Sequence, residues 1–221
     1  IFEHDEVDVS ELNYSKKRKV LTSVNYTLAK KKVVFFDSLR ENIQKNLEQQ
    51  LPGYEVGITS FSKDETKAVV VTYSDKSRGT YYYYNIENDE LIELGEISPW
   101  LSEDHMAGMK PIKYKSRDGL TIHGYLTLPK NSDGKNLPVV VNPHGGPWAR
   151  DTWGYKPEIQ FLANRGYAVF QMNFRGSTGY GRKFWEMSFK EWGKSMQDDI
   201  TDGVQWLIGE GIADPKRIAI Y

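Results

Sequence analysis

Residues 139–147 read VVVNPHGGP, and the fold turns on how that stretch is taken. Val139, Val140 and Val141 form a β-branched run without polar alternation, the pattern of a short strand covered on both faces. The run leaves through Asn142 and Pro143 into His144, Gly145, Gly146 and Pro147. Two consecutive residues without Cβ open backbone conformations closed to other residues and let a second group come close to the amides. Such a loop can donate main-chain N–H bonds to a developing negative charge. A tight turn that merely leaves the strand uses the same residues, so the stretch alone supports both readings.

Outward from this strand the second half of the chain alternates. Upstream, KPIKYKSRDGLTIHGYLTLP (110–129) reads as two strands joined at Asp118-Gly119, a strong hairpin signal. Downstream come a helix candidate over 156–165, a buried strand over 167–174, a helix with Met196, Ile200, Val204 and Leu207 on one face, and a strand over 217–221. A hairpin followed by alternating strands and helices predicts an α/β sheet, mixed at its start and parallel afterwards.

The first half has a different grammar. Strand candidates at 20–26, 33–36, 56–61, 68–73, 81–86 and 91–94 are separated by polar turns such as SKDETK and SDKSRG, which predicts an antiparallel meander of the propeller-blade kind. Leu39, Ile43, Leu47 and Leu51 interrupt it with a helical period, with Ser38 as the expected N-cap and Pro52-Gly53 as the stop. The polar, aperiodic segment ELGEISPWLSEDHMAGMKP (93–111) is the natural boundary, dividing residues 1–105 from 106–221. The expected architecture is therefore a mixed fold: antiparallel β, as part of a β-propeller, followed by an α/β domain.

Composition narrows the function classes. With 39% hydrophobic and 27% charged residues in 221, the chain can bury a core and is not a disordered one. A net charge of −1 gives no field for nucleic acid or an acidic membrane, and neither is expected as a partner. The basic runs KKRK (16–19) and KKK (30–32) flank strand candidates and read as solvated hairpin ends. Zero cysteines exclude disulfides, zinc-thiolate sites and thiol catalysis, and fit a cytoplasmic or a periplasmic soluble protein. The start, IFEHDEVDVS, has no basic-then-apolar leader and no initiator Met, so the chain is expected to be a piece of a longer one.

Beyond HGGP, the motifs RGSTGYG (175–181), QDDITDGVQWL (197–207) and DPKRIAI (214–220) occur in that order, preceded by RDGLTIHGYLTLP (117–129). In order and spacing these resemble the prolyl oligopeptidase family of serine peptidases, most of all its acylaminoacyl-peptidase and dipeptidyl-aminopeptidase branches. The resemblance covers about half of the chain, and more loosely EVDVSEL and SPWL in the first half. It implies an α/β-hydrolase domain behind a β-propeller, a peptide substrate, acyl-enzyme chemistry and no cofactor. It makes the backbone N–H of Gly146 an oxyanion-hole donor, with His144, Gly145 and Pro147 forming the loop that carries it. His144 is then a loop anchor and not the catalytic base, since this fold orders its triad Ser, Asp, His. It also implies a nucleophile a few positions beyond Tyr221, so that all three triad residues lie outside these residues and the chain by itself is inactive.

Other residues carry weaker signals. Ser177 in GSTG lacks the strand-to-helix elbow of a nucleophile, and Ser195 reads as an N-cap. Asp198, Asp199 and Asp202 suit the start of a helix, where one could pair with Arg175; the histidines at 4, 105, 123 and 144 have no metal-ligand spacing. Trp148 and Trp153 follow HGGP closely and are candidates for a substrate cleft. Two alternatives to a peptidase stand: an esterase on the same fold, and a binding module presenting Tyr82 and Tyr84 to a ligand. The unfinished sheet edge expected of such a piece would be covered by self-association or another element.

Overall fold

Period-two burial in the first half builds two antiparallel sheets in the computed structural model, which describes residues 2–221. The first sheet has the order β1 (Val9–Ser15), β2 (Val20–Thr27), β3 (Lys31–Phe35); the second runs β4 (Glu55–Phe61), β5 (Lys67–Tyr73), β6 (Thr80–Asn85), β7 (Glu90–Glu96) as a plain meander. Along β5 the buried residues alternate as Ala68, Val70 and Thr72. Helix α1 (Ser38–Gln50) joins the sheets and lays Ile43, Leu47 and Leu51 on Ala68, Val70 and Tyr84. Leu39, the outermost residue of the predicted stripe, is exposed.

The N-cap of α1 is Asp37 and not the expected Ser38. Asp37 Oδ1 accepts the Arg40 N–H at 3.0 Å, while both its oxygens are held by Arg18 at 2.6 and 2.9 Å. A carboxylate already fixed by a guanidinium is a well-placed cap, and the Arg18 hydrogen bond holds its pKa below the usual carboxylate range. The tyrosine reading also changes. Tyr84 is 1% exposed and cannot be presented to a ligand as the binding-module alternative required, while Tyr82 is partly buried against the same cluster.

The second half forms a mixed five-stranded sheet in the order β12-β10-β11-β9-β8. Its members are β8 (Met109–Lys115), β9 (Thr121–Thr127), β10 (Leu137–Val141), β11 (Ala168–Asn173) and β12 (Ala213–Ile220). The 110–129 hairpin is β8 and β9, paired from Lys115↔Thr121 outward. β9 is antiparallel to β11, which is parallel to β10, which is parallel to β12. Helices α2 (Pro157–Asn164), α3 (Gly181–Glu186) and α4 (Ser195–Gly209) connect the later strands. On one face α2 brings Ile159 to Met109, Tyr125 and Val169; on the other α4 brings Met196 and Leu207 to Phe170, Met172 and Ile122. Every residue of β11 is buried, as a strand covered on both faces must be. The N-cap of α4 is Lys194, and Ser195 instead donates its hydroxyl to Glu191 at 2.8 Å.

The chain divides into two compact units, Val9–Asp104 and His105–Tyr221, and Glu3–Asp8 packs with the second of them. No helix among the described residues is long and apolar enough to cross a membrane.

Gly203 sets how closely α4 approaches the sheet. A Cβ there would lie 2.6 Å from Phe170 Cζ and 2.8 Å from Tyr114 Cζ, two buried rings 5.8 Å apart. Gly209, in the same helix, faces open space. Gly209→Ala should therefore stabilise by up to about 1 kcal/mol through helix propensity, whereas in Gly203→Ala an overpacking cost of about 1–3 kcal/mol exceeds that gain. Urea unfolding of the two variants should shift in opposite directions; equal shifts would mean that α4 is not held against these rings.

Candidate active site

Three parallel strands end at one edge of the second sheet. Val141 of β10 pairs with Phe170 of β11 and with Ile220 of β12. Just past these pairs, the Asn142 N–H donates to the Phe170 carbonyl at 2.8 Å, and the Tyr221 N–H donates to the Val141 carbonyl at 2.9 Å. The HGGP loop, the RGSTGYG loop and Tyr221 are thus brought side by side at the C-terminal strand ends, where open α/β sheets bind ligands.

Pairing stops at Asn142. Gly145 and Gly146 are exposed, and among the described residues neither amide donates to an acceptor. Gly146 has φ +135, and a Cβ there would lie 2.8 Å from the Trp148 nitrogen. Only glycine fits on both counts. Gly145 has neither constraint. The Gly146-Pro147 bond is cis.

His144 is fixed from below. Its ring stacks on Phe174 with centroids 4.6 Å apart, and Nε2 lies 2.8 Å from Ser177 Oγ. Ser177 is fully buried and donates its hydroxyl to the Phe174 carbonyl at 2.7 Å. Both ring nitrogens are engaged, since Nδ1 lies 3.1 Å from the Gly145 carbonyl. His144 ties the loop to Phe174 and Ser177, and the fully buried Ser177 lacks the access of a nucleophile.

The chain is similar to known proteins in sequence and in fold. Residues 153–221 match the model of the prolyl oligopeptidase family. The chain is 37% identical over 205 residues to dipeptidyl aminopeptidase BIII of Pseudoxanthomonas mexicana, covering 90% of this chain and 29% of that protein. It is 32% identical to dipeptidyl peptidase family member 6 of Caenorhabditis elegans, over 76% of this chain and 26% of the relative. The chain belongs to the prolyl oligopeptidase family. In fold, all of it superposes on part of a prolyl endopeptidase with a TM-score of 0.75 at 18% identity, covering 32% of that structure. Pyrococcus horikoshii acylaminoacyl peptidase gives 0.66 at 22%, over 98% of this chain and 33% of the neighbour. The chain thus spans about a third or less of the length of these relatives.

The family's RGSTGYG motif is anchored here by a buried ion pair that the sequence suggested. Arg175, 5% exposed, gives Asp199, 0% exposed, its Nε at 2.8 Å, its Nη2 at 2.6 Å and its backbone N–H at 2.9 Å. Nη1 reaches Asp118 at 2.8 Å in the β8–β9 turn. Hydrogen bonds from Arg175 hold Asp118 well below the usual carboxylate range, and Asp199 raises the guanidinium in turn. The Tyr114 hydroxyl donates to the Asp199 carbonyl at 2.7 Å; burial pushes its pKa up. Asp198 and Asp202 turn outward to Arg117, at 2.9 Å each.

The tryptophans after HGGP part company. Trp148 is half-exposed beside Phe189 and Trp192 in an apolar groove of about 650 Å³, its Nε1 donating to Ser188 at 3.0 Å. Trp153 turns inward, donating Nε1 to the Met109 carbonyl at 2.9 Å and packing on the α2-side core. Of the two, Trp148 is the one that lines this groove.

Arg175→Met strands a buried carboxylate and should cost about 3–5 kcal/mol. Asp199→Asn removes that charge yet keeps an acceptor for the backbone N–H of residue 175, so the double variant should recover most of the loss. Chemical denaturation of the two single variants and the double variant checks this; a single-variant cost below about 1 kcal/mol would show that the pair does not hold the loop.

Proposed function

We propose that this chain supplies the oxyanion-hole loop of a serine peptidase that cleaves short peptides through an acyl-enzyme, releasing acylated residues or dipeptides from the amino terminus. The observation that carries this reading is the exposed, unpaired pair of amides at Gly145 and Gly146, set at the strand ends beside Tyr221. An oxyanion needs donors that are already oriented and not engaged elsewhere, because reorienting them during reaction would forfeit the gain. In this reading the Gly146 N–H donates to the tetrahedral oxygen, and the second donor is the amide after the nucleophilic serine. The serine is proposed to follow β12 in a G-x-S-x-G turn, with its Asp and His later, all beyond residues 1–221. The Val9–Asp104 unit is proposed as part of a β-propeller that screens substrates.

The dipeptidyl aminopeptidase activity in the name of the Pseudoxanthomonas mexicana relative favours peptides over simple esters. An esterase would use the same loop, and competition between peptide and ester substrates separates the two.

A fluorophosphonate probe tests the assignment of the nucleophile. The 221-residue chain should stay unlabelled, while the full-length gene product should take up one equivalent at a serine following β12. Stoichiometric labelling of the 221-residue chain would place the nucleophile within it and overturn the reading.

A further inference from the structure

The oxyanion loop must be held on its far side as well as at His144, and there the sequence offers an unremarked residue at the end of β11. Asn173 is completely buried. Its Oδ1 accepts the Asp151 N–H at 2.8 Å, and its Nδ2 donates to the Asp151 carbonyl at 3.0 Å. This side chain therefore pairs with a loop backbone as a neighbouring strand would. The second Nδ2 proton goes to the Tyr180 hydroxyl at 2.8 Å. An N–H on one side and a carbonyl on the other leave only one orientation for the amide.

Each grip is continued by its neighbours. Asp151 lies five residues beyond Gly146, and Tyr180 belongs to the RGSTGYG loop. The two loops also meet directly, since the Thr178 N–H donates to the Ala149 carbonyl at 2.9 Å. Arg150 lies over the Tyr180 ring, 4.1 Å from its centroid, and its Nη1 reaches the Gly179 carbonyl at 3.3 Å. Burial pushes the Tyr180 hydroxyl up to about 12, so at neutral pH it stays a phenol. Asn173 is thus bonded to both loops from within the sheet.

We infer that Asn173 is a positioning residue for the oxyanion hole, clamping the Trp148–Asp151 side of the HGGP loop to the RGSTGYG loop so that the Gly146 amide is fixed before substrate arrives. The inference rests on the peptidase reading. It assigns Asn173 no contact with substrate: its effect passes through Asp151 and Tyr180 to the loop.

Asn173→Asp is nearly isosteric but turns an acceptor oxygen toward the Asp151 carbonyl, which has no proton to offer. In the full-length gene product, with a peptide substrate whose acylation limits turnover, kcat should fall tenfold or more while KM changes less than twofold. Affinity for a peptide boronate, which forms the tetrahedral adduct, should fall by the same factor as kcat. A merely structural role would lower the melting temperature and leave both quantities unchanged well below it, and that result overturns the inference. Tyr180→Phe, which removes one arm without adding charge, should lower kcat in the same pattern by a smaller factor. If Asn173→Asp does not fold, an unchanged kcat in Tyr180→Phe overturns the clamp. If the wild-type product turns over no peptide and takes no probe, the peptidase reading has failed. The clamp is then judged by amide hydrogen exchange over 144–151, which must quicken in Asn173→Asp; unchanged exchange overturns it.

Discussion

A guanidinium and a carboxylate, both removed from water, set the geometry at the ends of the parallel strands. Burying either charge alone would be prohibitive, so Arg175 and Asp199 must meet with near-ideal geometry, and they do so through three hydrogen bonds. This requirement ties three distant elements: the end of β11, the first turns of α4 and, through Asp118, the β8–β9 turn. The remaining bonds are local consequences. With residue 175 fixed, Ser177 turns back onto the Phe174 carbonyl and sets its hydroxyl 2.8 Å from His144 Nε2. His144, stacked on Phe174, then holds down the start of the HGGP loop. Asn173 holds the same loop further along.

Between these two anchors the Gly145 and Gly146 amides have no acceptor among the described residues. That is unusual for polar groups in a folded chain, where donors ordinarily find partners. Here it is a matter of construction: Gly146 adopts a conformation that other residues rarely take, at a position where a Cβ would strike the following turn. The amides are thus spared the strand pairing that ends at Asn142 and face solvent at the edge where Tyr221 also emerges. Rigid support with unspent donors is the arrangement that electrostatic catalysis needs. The aromatic groove around Trp148 opens from the same loop.

Much of this was legible in the sequence, for physical reasons that differ by element. The alternation of β5, the β-branched run of β10 and the four-residue period of α1 are burial patterns, and burial is what a sequence records best. The β8–β9 hairpin showed in Asp118-Gly119, and the Arg175 pair in the acids crowding the start of α4. Other features had no local signal. β1 carries few apolar residues, and α3 is too short for a period. Asp37 displaced Ser38 as the cap because Arg18, far along the chain, fixes its carboxylate. Asn173 read as the end of a strand, since its partners at 151 and 180 come from two separate loops. Glu3–Asp8 joins the second unit through bonds such as Asp8 N–H to the Gly179 carbonyl at 3.2 Å, a contact no pattern in the first ten residues announces. What escaped was long-range and polar, the class of contact that composition and periodicity do not encode.

The central claim is that the Gly146 amide is aimed at the tetrahedral oxygen of the reaction. A crystal structure of the full-length gene product carrying a peptidyl boronate on its nucleophilic serine tests this most directly. The account predicts the adduct's oxyanion about 2.7–3.1 Å from the Gly146 nitrogen, with the 144–147 backbone unmoved from its position here. An oxyanion bound wholly by other donors, with the Gly146 N–H turned away, would contradict it.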